Sequence, residues 1–200
     1  MRGLIIPLLG LSLAACGGEV EEAPTVRMTI QAAAPIAVEA EVAEVEVTPM
    51  SDAALAKIEA LRGIIARNSL SRLSRLADSE ASFVSNFSGE ANRVHWDLLR
   101  RTGFDPLAQL EILLDGPSAT RVVGDETWYI WPDLAALEPS ELLPERLSFS
   151  DRARLLELVG EAGIERVRAG QGYPGVRTAI SEDGRWLYFV HETEDETTGE

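Results

Sequence analysis

All twelve aromatic residues of this 200-residue chain fall between Phe83 and Phe189, and no other feature of the sequence limits the fold so tightly. Each aromatic side chain buries about 150–250 Å² and carries a large share of a core's energy. A packed domain is therefore expected at residues 80–191, with a stalk before it. The chain holds one cysteine, so no disulfide can form within it and packing must supply the stability.

Within that stretch the strand signals come in pairs. Thr120 to Val123 and Thr127 to Trp131 flank Gly124-Asp125-Glu126, and Pro132 stops the second strand. Val176 to Ile180 and Arg185 to Val190 flank Ser181-Glu182-Asp183-Gly184, the clearer of the two hairpins. Helices are expected from Ser88 as N-cap to Gly103, with Val94 and Leu98 on the apolar side, and from Asp105-Pro106 to Asp115. Short helices are expected at Pro139 to Leu143, Ser150 to Val159 and Ile164 to Arg168. The order of paired helices and paired strands predicts an α+β fold: a small antiparallel sheet of two hairpins packed with short helices, preceded by a long helix and a disordered acidic tether.

The long helix is expected to start at Thr48-Pro49, with a kink near Asn68. Ala54, Ile58, Leu61 and Ile65 share one face, and Leu70, Leu73 and Ala77 continue on a rotated one. Its cations Lys57, Arg62, Arg67 and Arg72 recur every five residues. At about 100° per residue this winds the charge around the helix and argues against a membrane-lying surface. It predicts a solvated helix, or one that pairs with an acidic segment or partner.

The N-terminus has a short basic region at Arg2, an apolar run from Leu4 to Leu13 and then small residues, which is the layout of an export signal. The run is shorter than the roughly 20 residues a transmembrane helix needs. Leu13-Ala14-Ala15-Cys16 resembles the lipobox of bacterial lipoproteins. That resemblance, which covers residues 1–17 alone, implies that Cys16 is diacylated, becomes the new N-terminus and anchors the protein in a membrane. Gly17, in place of the Asp that marks inner-membrane retention in many such proteins, implies an outer-membrane location facing the periplasm.

Five segments follow from these readings: a signal peptide at 1–15, an acidic disordered tether at 16–49, a basic helix at 50–79, the α+β domain at 80–191 and an acidic disordered tail at 192–200. The tether, a flexible coil, would reach roughly 30 Å. The net charge of −15 argues against nucleic acid as a partner. The partners expected are the membrane, through the lipid on Cys16, and an envelope protein or peptidoglycan.

Little in the sequence points to catalysis. The two histidines, His95 and His191, lie in no hydrolase, nucleotide-binding or zinc motif. His95, Trp96 and Asp97 are helix neighbours and point in different directions. No metal, cofactor or catalytic residue is expected. The aromatic strands are the functional candidate, because Trp128-Tyr129-Ile130-Trp131 and Trp186-Leu187-Tyr188-Phe189 put large side chains on both sheet faces. With the loop Gly170 to Arg177 they nominate Trp128, Trp131, Tyr173 and Arg177 as ligand-binding residues. The reading is a non-catalytic binding or envelope-structural role, with an envelope hydrolase or glycan-binding module as the alternative.

Overall fold

The computed structural model describes residues 49–191; the signal segment, Cys16, nearly all of the tether and the acidic tail lie outside them. The order is α1 (Asp52–Ile65), α2 (Leu70–Ser79), α3 (Asn92–Arg101), α4 (Pro106–Asp115), β1 (Ala119–Val123), β2 (Glu126–Trp131), a 3-10 turn (Asp133–Ala136), α5 (Phe149–Arg168), β3 (Arg177–Ser181) and β4 (Trp186–Val190). The four strands form one antiparallel sheet in the order β1-β2-β3-β4. This is the α+β architecture with short helices packed on a sheet of two hairpins.

The helix that carries the cations is two helices. Asn68 adopts φ 46°, in the left-handed region that ends a helix, and α2 restarts after it. Its N-cap is Ser51, not Thr48: the Ser51 hydroxyl accepts from the Ala54 amide at 3.2 Å. Leu61, Ile64, Leu70, Leu73 and Ala77 are buried in the same core as Trp96, Leu110, Trp131, Trp186 and Phe189. The expected domain boundary at residue 80 has no counterpart in this packing, so the aromatic residues mark only part of the packed body. Helices rich in Leu, Ile and Ala supply one wall of the core, and rings from α3 and the sheet supply the other.

Two further expectations are corrected. In α3 the buried side chains are His95, Trp96 and Leu99, while Val94 and Leu98 are 57% and 50% exposed. Burying Trp96 gains more apolar area than burying Val94, and the helix turns accordingly. Residues 139–143 form turns, not a helix. The 20-residue α5 is broken at Gly160 (φ 65°, ψ −178°), a conformation only glycine adopts readily, which divides it near the expected place.

The sheet's helix-facing side holds Tyr129, Trp131, Ile180, Trp186 and Phe189, with α1 and α4 lying against β3. Trp96 and Trp186 are fully buried. At about 25 cal/mol per Å², each such ring contributes about 4–6 kcal/mol of transfer energy before entropy is counted. Strict alternation would set Trp186 and Phe189 on opposite faces. A bulge between Ala179 and Ile180 shifts the β3–β4 register, and both rings reach the helices. A second core gathers Leu134, Leu142, Leu155, Ile164, Val167 and Tyr173 from the 3-10 turn, α5 and the loops around them.

Candidate functional site: the open face of the sheet

The other sheet face follows from the register. Arg121 pairs with Trp128, Trp128 with Ser181, Ala179 with Tyr188, and Arg177 with Val190. Because β3 carries only Ala179 and Ser181 at the centre of this face, the Trp128 and Tyr188 rings meet over it, edge to face, with centroids 6.4 Å apart. No helix of the first core covers them. A cavity of about 410 Å³ opens there, lined by Trp128, Tyr188, Ile130, Val190, Arg121 and Arg177 and rimmed by Val84, Phe87, Val123 and Ala135.

Two guanidinium groups flank this apolar cavity. Arg121 pairs with Glu138 at 2.5 Å. Arg177 donates from Nη1 to the Tyr173 carbonyl at 3.0 Å and to the Gly175 carbonyl at 3.3 Å, so the glycine-rich loop holds it against the sheet. Burial pushes the Tyr188 phenol up to about 12, against the opposing pull of Arg177 and Arg121. Tyr188 therefore stays protonated and neutral between two cations across the physiological range.

Of the four residues nominated from sequence, Trp128 and Arg177 line this cavity and the other two do not. Trp131 faces the helices at 3% exposure. Tyr173 is 7% exposed in the second core, where burial raises its phenol pKa; it supports the site only through its carbonyl. Arg121 and Tyr188 are the site residues the sequence reading missed. The two-residue turn at Gly124-Asp125 pairs Arg121 with Trp128, so that signal was present; the bulge in β4 hid Tyr188.

The histidines lie away from this cavity. His95 is buried on α3, and His191 follows β4 with its ring stacked on Phe104 at 4.3 Å. Burial, and then the nearby His95, lowers the His191 pKa. Among the described residues no three metal-ligating side chains cluster.

Fold and site define an α+β domain with one sheet face packed by helices and the other bearing Trp128 and Tyr188 in a cavity flanked by Arg121 and Arg177. No protein-family model, curated protein or solved structure matches the chain.

Proposed function

We propose that this chain is an outer-membrane lipoprotein facing the periplasm, with a non-catalytic binding role exercised by the open sheet face. The observation that carries binding over catalysis is the chemistry of the cavity. Its described lining is aromatic, aliphatic and guanidinium; the Glu138 carboxylate beside it is held in an ion pair by Arg121 and the Tyr188 phenol is kept protonated, so neither is poised to move a proton or attack a substrate. Its volume of about 410 Å³ falls within the roughly 300–1,000 Å³ of ordinary ligand sites. The address rests on the lipobox resemblance at Leu13 to Cys16, and several acyl chains would give stable anchoring.

Two measurements test this reading. Cys16→Ser should move the protein from the membrane fraction to the soluble one, and a variant that still sediments with membranes removes the basis for the address. A photo-crosslinking side chain at position 128 should yield adducts in intact cells that Arg177→Ala diminishes; adducts no different from those at exposed position 67, just past the end of α1, would refute binding on this face.

A further inference from the structure

The two edges of the sheet are treated differently. The outer edge of β4 is covered, because Val84 bridges it: the Val84 amide donates to the Leu187 carbonyl at 3.1 Å, and the Phe189 amide to the Val84 carbonyl at 3.0 Å. Among the described residues no backbone group pairs with the outer edge of β1.

The hairpin register identifies which groups are open. Backbone groups of alternate residues in an antiparallel strand point to opposite sides. With Val123 and Glu126 closing a two-residue turn, Ala119, Arg121 and Val123 bond to β2. The far side of β2 agrees: the Thr127 carbonyl, one step out of phase, accepts from the Glu182 amide at 2.8 Å, away from β1. The amides and carbonyls of Thr120 and Val122 therefore face outward. Val122 is 71% exposed, an apolar side chain on an edge that proteins ordinarily blunt with charge, proline or a covering segment.

The same strand lines the cavity, since Arg121 and Val123 project onto the open face beside Trp128. Backbone pairing groups and a side-chain seat thus share one edge. We propose that β1 accepts an extended peptide segment of another protein as a fifth, antiparallel strand, with an acidic side chain set against Arg121 and apolar or aromatic side chains two residues to either side lying over β1 toward Trp128 at the near end of the cavity. This deepens the binding reading above and rests on it. Strand addition takes its affinity from main-chain hydrogen bonds and its specificity from alternate side chains, which is what this edge and this cavity supply.

The cation of this edge favours that partner over a second copy: the Arg121–Glu138 pair is solvent-exposed, so an incoming carboxylate can join it or replace Glu138. Of 33 acidic and 18 basic residues, 21 and 16 lie in residues 49–191, so most of the net −15 sits outside the folded body, and the local charge at Arg121, not the net charge, is what an acidic side chain meets. Two copies joined edge to edge through β1 would bring their Arg121 side chains near one another, and like charges across a strand pair are unfavourable.

The probe is the fluorescein-labelled peptide Thr-Phe-Val-Glu-Val-Phe-Thr, acetylated and amidated, titrated into the full mature chain carrying Cys16→Ser. In antiparallel pairing its Phe and Glu side chains share one face and its two Val amides point to β1. Binding should slow hydrogen exchange at the Thr120 and Val122 amides at least tenfold. N-methylation of the two Val residues should weaken binding at least tenfold, and N-methylation of the Glu less than twofold. Arg121→Glu and Val122→Pro should each weaken it at least tenfold, and Arg67→Glu should not. The N-methylated peptides need no altered protein, so a misfolded variant leaves the test intact.

Absence of binding overturns the proposal. Binding with unchanged exchange at Thr120 and Val122 also overturns it, while leaving the cavity as a seat for side chains alone and the broader reading standing. Protection of those two amides before any peptide is added would mean that the chain itself or a second copy fills the edge, which overturns it too.

Discussion

Trp186 stands at the centre of the first core, and its polar edge is met by one hydroxyl. Trp186 Nε1 donates to Thr178 Oγ1 at 2.8 Å, and that hydroxyl donates in turn to the Tyr188 carbonyl at 2.7 Å. Thr178→Val keeps the shape but leaves the indole N–H buried without an acceptor, which costs about 1–3 kcal/mol. A urea unfolding midpoint within error of the parent would refute this. His191 offers a pH handle at the same scale. Its pKa is lowered from 6.5 by burial and then by His95, so the unfolded chain binds its proton more readily than the folded one. Stability should be fully present above about pH 6.5 and decline as pH falls below it. His191→Phe, which retains the stacking on Phe104, should flatten the decline in the unfolding midpoint between about pH 7 and 5.

Among the elements, the start of α1 is tied most firmly. The Ser51 amide donates to the Tyr129 hydroxyl at 3.0 Å, and the Ser51 hydroxyl donates to the Glu182 carbonyl at 2.6 Å while capping Ala54. The β3–β4 turn lies so close that a Cβ at Gly184, whose φ is 83°, would fall 2.7 Å from the Ala53 carbonyl. The place where the chain enters the domain is thereby fixed to the second hairpin. Ser51→Ala removes both the cap and the bridge and should cost about 1–2 kcal/mol, read as a lowered thermal midpoint. An unchanged midpoint would mean that the entry point is held by packing alone. Local chemistry made much at this scale legible. Asp105-Pro106 caps α4 as expected, with the Asp105 carboxylate accepting from the Leu107 amide at 3.1 Å, and both hairpins stand within a residue of their expected strands. The illegible parts were those where apolar residues competed for burial, as Val94 and Trp96 do on α3.

For the whole molecule, the test concerns where the packed body begins. A fragment of residues 80–191 lacks α1 and α2, whose Leu61, Ile64, Leu70 and Leu73 are buried in the first core. It should fail to unfold cooperatively, whereas residues 49–191 should melt in one transition detected by circular dichroism. Cooperative melting of the shorter fragment would restore the boundary at residue 80. The sequence by itself determined the fold class, the two hairpins, the breaks at Asn68 and Gly160 and the nomination of Trp128 and Arg177. Each of those follows from local backbone preference or from alternation along one strand. Only the tertiary structure decided that the helices over residues 52–79 belong to the core, that Trp131 and Tyr173 are buried away from the cavity, and that Tyr188 completes it. Those outcomes depend on which surfaces meet, and on a single bulge that turns one ring of β4 toward the helices and another toward the open face.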